Sequence, residues 1–161
     1  MDGKLISTIG VEQNYEILCF TKDRDQAHGQ AESLLNKYSP SAIVFIEKVG
    51  ANIKGEYHTM KGLNVSKNHA KIDILALKAI ERSIAVIGIG DGGNEVGMGV
   101  LEDVVRRKVP YGNECTCPCK GGIACHTPCS SLIVSTTSNW GTYILIAGLS
   151  IIAKKVSTTL T

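Results

Sequence analysis

The chain has 161 residues, 43% of them hydrophobic, and a formal net charge of +2, which fits one globular domain with an ordinary apolar core. Charges of both signs are interspersed and aromatic residues make up only 5%, so there is neither the basic face nor the stacking platform of a nucleic-acid binder. The first residues lack a basic region followed by an apolar core, and the late run 143–153 is interrupted by Gly148 and Ser150 and is too short to span a bilayer. A cytoplasmic location, no membrane partner and a buried helix over that run are therefore expected.

In chain order, Ile17-Leu18-Cys19-Phe20 reads as a short buried strand with Cys19 in the core. A helix is predicted over 26–37, with Ala27, Ala31, Leu34 and Leu35 inward, and Pro40 closes the connection. The β-branched run 42–46 has the character of a central parallel strand and delivers Glu47 at its carboxyl end. Residues 48–67 form a loop longer than a mere connector needs, carrying Asn52, Glu56, Tyr57, His58 and Met60. A helix is predicted over 73–81, a strand over 84–87, a further strand over 132–134, and a last helix after Ser138-Asn139-Trp140-Gly141.

Strands alternating with helices predict a single α/β domain over 1–161, a three-layer arrangement of a mostly parallel sheet with helices on both faces. Ligand sites in such folds lie beyond the carboxyl ends of the strands. Three segments share that edge: Glu47 with its loop, the loop containing Asp91, and Ser138-Asn139-Trp140-Gly141. Unpaired strand edges make a homo-oligomer an expectation as well.

The richest segment is Gly88-Ile89-Gly90-Asp91-Gly92-Gly93-Asn94-Glu95-Val96-Gly97-Met98-Gly99. Six glycines in twelve residues point to function over packing, since glycine permits positive φ and close approach of a ligand to the backbone. Gly88-x-Gly90-x-x-Gly93 formally fits a dinucleotide fingerprint, yet no second strand ending in an acid follows, and no Gly-Lys-Ser/Thr makes a phosphate-gripping loop. Asp91, Asn94 and Glu95 instead offer the hard oxygen ligands that suit Mg²⁺ or Mn²⁺. If a helix begins near Gly92 or Gly93, Asp91 is its N-cap and Glu95 lies in its first turn. Spacing alone leaves capping and metal binding both open.

Cys115, Cys117, Cys119, Cys125 and Cys129 crowd into a loop over 113–130 with His126 alongside. Zn²⁺ binding there competes with a plain loop of reduced thiols, because the i, i+2, i+4 pattern departs from paired zinc knuckles.

Together, Ile46-Glu47-Lys48-Val49-Gly50-Ala51-Asn52, Gly55-Glu56-Tyr57-His58-Thr59-Met60, the glycine stretch, Ile123-Ala124-Cys125 and Ser138-Asn139-Trp140-Gly141 resemble the D-glutamate cyclase family's carboxy-terminal domain over about 42–153. The resemblance implies cyclisation of D-glutamate to 5-oxo-D-proline with loss of water, assisted by Mn²⁺ or Mg²⁺. It implies a metal held by Asp91, Glu95 and Glu47, and a proton transferred by His58 or Tyr57. Asn52, Tyr57, Gly92, Gly93, Asn94, Ser138, Asn139 and Trp140 would then contact the substrate, a small amino acid. Ser130 and Thr142 depart from the family pattern, which commonly has an acid and a glycine at those places. A metal hydrolase acting on a small phosphorylated or carboxylated metabolite, and a non-catalytic subunit, stand as alternatives.

Overall fold

The computed structural model describes residues 16–153. Three parallel strands form the sheet in the order β1-β2-β3: β1 is Ala42–Ile46, β2 Ala85–Gly90 and β3 Ser131–Val134. Four helices accompany them, α1 (Arg24–Tyr38), α2 (Asp73–Glu81), α3 (Glu102–Lys108) and α4 (Ser138–Ile152).

Alternation along the strands sends side chains to two faces. Ile43, Phe45 and Val86 point to one, where they meet Leu35 of α1 and Ala76 and Ala79 of α2 in a buried cluster. Burying side chains of this size stabilises the fold by about 1.5–3 kcal/mol each. Ile89 and Ile133 point to the other face, where Gly141 lets α4 approach so closely that an added Cβ would lie 2.9 Å from Ile133 and 3.0 Å from Ile89. Helices therefore cover both faces, as the alternating pattern predicts.

Helix α1 starts two residues before the predicted 26, because the Asp23 side chain accepts from the Gln26 N–H and caps its first turn. Helix α2 spans the predicted 73–81.

Three expectations fail for identifiable reasons. Residues 17–20 are not a strand, and Cys19 is exposed rather than in the core. The Gln30 side chain takes the place of a strand partner there, donating to the Cys19 carbonyl at 2.7 Å and accepting from the Thr21 N–H at 2.8 Å. No helix starts at Gly92 or Gly93: the chain turns through the glycines, passes a 3₁₀ turn at Met98–Leu101 and enters α3 only at Glu102.

Helix α4, finally, is not buried. Tyr143, Ile144, Ile146, Leu149, Ile151 and Ile152 are each more than half exposed. The apolar run forms the predicted helix, but a three-stranded sheet covers only its Gly141 side. No helix among the described residues is long and apolar enough to cross a membrane.

Candidate functional site

The carboxyl ends of all three strands meet. Glu47 follows β1, Asp91 follows β2, and α4 begins just after β3 at Ser138. The Ser138 N–H donates to Asp91 Oδ2 at 3.1 Å and the Ser138 hydroxyl donates to Glu47 Oε1 at 2.6 Å. Asp91 does sit at a helix N-terminus, but that of α4 rather than of the helix following it in sequence. The positive end of a helix dipole favours both carboxylates.

Glu47, Asp91 and Glu95 each bring a carboxylate oxygen within 4.8 Å of the other two. Among the described residues no Lys, Arg or His side chain forms an ion pair with any of them. Like charges so close repel unless a cation joins them. Glu47 also has a left-handed backbone, φ 53°, a conformation that costs a non-glycine residue about 1–2 kcal/mol. Its carboxylate reaches across the strand ends to the Ser138 hydroxyl.

Glu95 has a second role. Its Oε1 accepts from the N–H groups of Gly92 at 2.8 Å and Asp91 at 3.2 Å, and its Oε2 from Gly93 at 2.6 Å. The residue is 3% exposed. The backbone nest of the kind that grips a phosphate is thus filled by the chain's own carboxylate.

Several of these glycines, expected to serve function over packing, are also demanded by packing. Gly93 has φ 110° and a Cβ there would stand 2.5 Å from Val105. Gly97, φ 103°, lies against Gly88, whose Cα would be 2.9 Å from an added Cβ. Beside the acids, a depression of about 160 Å³ is lined by Asp91, Gly92, Gly93, Met98 and Val134 among others.

The D-glutamate cyclase-like, C-terminal family matches residues 5–161. The chain belongs to this family. It is also 34% identical over 111 residues to the mitochondrial D-glutamate cyclase of Homo sapiens, an alignment covering 68% of this chain and 17% of the human protein.

In this D-glutamate cyclase-like domain the long loop 48–67 runs beside the glycine loop. Gly50 N–H donates to the Asn94 carbonyl and Val96 N–H to the Lys48 carbonyl, so Val49 and Glu95 form an antiparallel bridge. The Asn94 side chain donates to the His58 carbonyl at 2.7 Å. Asn52 Oδ1 accepts from Lys54 and Glu56, while its Nδ2 donates to Gly122 at 2.7 Å. Both asparagines are buried and tie loops together.

Tyr57 and His58 have other partners than the acids. The fully buried Tyr57 hydroxyl donates to Asp73 Oδ1 at 2.5 Å, with Lys71 Nζ 4.2 Å from the ring centre. Burial, then the Asp73 charge, pushes the phenol well above its ordinary range. Burial lowers the His58 imidazole from its usual value.

His58 Nε2 lies 3.2 Å from Cys117 Sγ and 3.6 Å from Cys119 Sγ. The three sulfurs of Cys115, Cys117 and Cys119 are 3.2–3.3 Å apart. Four soft ligand atoms thus lie within 4.8 Å of one another. Burial pushes the Cys115 thiol up, but contacts with Cys119 and Cys117 and the Gly122 amide outweigh it and bring the thiol down to about 7. Burial carries Cys119 up to about 11.

Cys125 and Cys129 are not in this cluster. Cys125 is buried beneath the glycine loop, where its N–H donates to the Gly93 carbonyl and burial pushes its thiol up to about 12. Cys129 donates to the Gly97 carbonyl. His126 pairs with Glu102 at 2.7 Å. The fourth member of the thiol cluster is His58, which sequence reasoning assigned to proton transfer. Its position 57 residues before Cys115 carries no local spacing signal.

Proposed function

We propose that Glu47, Asp91 and Glu95 hold Mn²⁺ or Mg²⁺ and that the site cyclises D-glutamate to 5-oxo-D-proline. The observation that carries this reading is the cluster of three carboxylates at the strand ends without a cationic partner among the described residues. Their lone pairs fit a hard cation. Asp91 Oδ1 and Glu47 Oε2 have no partner among the described hydrogen bonds, and three amide donors leave Glu95 one acceptor position in reserve. Family membership and the human relative's name support the choice of substrate.

In the reaction the amino nitrogen bonds to the carbon of the γ-carboxylate, the ammonium gives up two protons, and one γ-carboxylate oxygen takes both and leaves as water. A divalent cation would supply Lewis-acid polarisation of that carboxylate. Glu47, held by Ser138 through Oε1, would keep Oε2 for the cation. The N-terminus of α4 favours the substrate's negative groups. Asn139 and Trp140, exposed in its first turn, orient and wall the substrate, while the half-buried Gly92 faces it from the glycine loop. Holding nitrogen against carbon supplies the remaining advantage. The Glu95-filled nest disfavours a phosphorylated substrate.

The test is incubation of metal-supplemented protein with D- or L-glutamate, following 5-oxoproline by chiral chromatography. Product from the D-isomer that requires Mn²⁺ or Mg²⁺ and disappears in Asp91→Ala is expected. No product from a folded, Mn²⁺-binding protein would overturn the reaction, and unchanged Mn²⁺ affinity in Asp91→Ala would overturn the ligand set.

A further inference from the structure

The geometry points to a second, separate metal centre: a structural Zn²⁺ held by His58 Nε2 and the sulfurs of Cys115, Cys117 and Cys119, clipping the loop 48–67 to the cysteine loop. It does not depend on the cyclase reading. The donor set is three thiolates and one imidazole, the combination of closed tetrahedral zinc sites. A tetrahedron with Zn–S near 2.3 Å separates its sulfurs by about 3.8 Å, so the observed spacings of 3.2–3.3 Å need to open by only about 0.5 Å. Disulfide bonding requires about 2.05 Å, and three thiols leave one over whichever pair joins. A disulfide framework therefore does not account for all of them.

The surroundings are those of a sulfur-rich metal site. The Gly121 N–H donates to Cys119 Sγ at 3.5 Å. Asn52 Nδ2 and Asn64 Nδ2 reach Cys119 and Cys117 at 3.8 and 3.9 Å. Such donors orient thiolates and lower their charge density. Cys115 and His58 are buried at 2% and 1% exposure, so water has little access. The loops also meet without the ion, since the Thr116 N–H and hydroxyl both donate to the Gly62 carbonyl. The ligands are thereby gathered from positions 57 residues and more apart.

The clip reaches toward the acids. Asn94 donates to the carbonyl of His58 itself, and Asn94 immediately precedes Glu95. Zinc would thus hold the backbone that supports the glycine loop, leaving the acid site for an exchangeable cation.

Elemental analysis of the purified full chain tests this. About one zinc per chain is expected, retained in Asp91→Ala and reduced at least about tenfold in Cys117→Ser. Cobalt substitution should give the absorption of a tetrahedral, thiolate-rich site. Should the variant fail to fold, alkylation of the wild-type chain decides. Zinc should protect Cys115, Cys117 and Cys119, a chelator should expose them, and Cys19 should react in both states. A chain that takes up neither Zn²⁺ nor Co²⁺, bound iron in place of zinc, zinc retained by Cys117→Ser, or alkylation unaffected by chelation would each overturn the proposal.

Discussion

The acidic site and the thiol cluster are built by opposite strategies. Glu47, Asp91 and Ser138 belong to three successive strand ends, and parallel topology alone brings them together. The thiol cluster takes three ligands from one short loop and one from a distant loop, and no strand end positions any of them. The first arrangement leaves Asp91 and Glu47 exposed, open to an exchangeable ion and a substrate. The second encloses its ligands and suits an ion that stays. A site's exposure thus follows from whether the sheet edge or the loop packing assembles it.

The sharpest way to separate the two is Cys117→Ser. Losing a structural ion from a chain of this size is expected to lower Tm by about 10 °C or more, measured by calorimetry with and without zinc. An unchanged Tm would place the cluster among ordinary buried thiols.

Asp91→Asn should have the next largest effect, confined to activity. Product formation should fall at least about a hundredfold, about 2.7 kcal/mol in kcat/KM. The exposed side chain has one described hydrogen bond, to Ser138, so the unfolding midpoint should barely move. A large stability loss would make Asp91 a helix cap above all.

Glu95→Gln probes the boundary between scaffold and ligand. The carboxamide replaces one acceptor oxygen with a donor that faces either the Asp91 and Gly92 amides or the Gly93 amide, at an expected cost of about 1–3 kcal/mol in denaturant unfolding. Unaltered stability would show that the nest tolerates a donor and that Glu95 serves the metal alone.

The smallest effect is expected from Glu47→Gly. Glycine relieves the left-handed backbone by about 1 kcal/mol and loses one hydrogen bond of similar worth. Thermal stability should therefore hold while Mn²⁺ affinity, read by calorimetric titration, falls. Intact affinity would remove Glu47 from the ligand set.

Much of this comparison was legible in the residues. The β-branched run 42–46 and the apolar residues before Gly88 mark strands by composition, the signature of a parallel sheet, although Val44 and Ile46 stay exposed where α4 does not reach β1. Glu47, Asp91 and Ser138 follow from the topology those strands require. The cap exchange was not legible: Asp91 accepts from a helix 47 residues later, whereas capping rules look a few residues ahead. Cys19 misled because an apolar run resembles a strand until a side chain such as Gln30 satisfies its backbone. The apolar run in α4 predicted burial, but periodicity reports an apolar helix without reporting what covers it. His58 was singled out as a proton carrier, and only the folded loop reveals its sulfur neighbours.

The most direct measurement of the central claim is product formation by folded protein that has been stripped of exchangeable metal. Adding Mn²⁺ should restore conversion of D-glutamate to 5-oxo-D-proline in the wild type and not in Asp91→Ala. Equal conversion without Mn²⁺, or in both proteins, would contradict the assignment of the acidic strand ends as the metal-dependent active site.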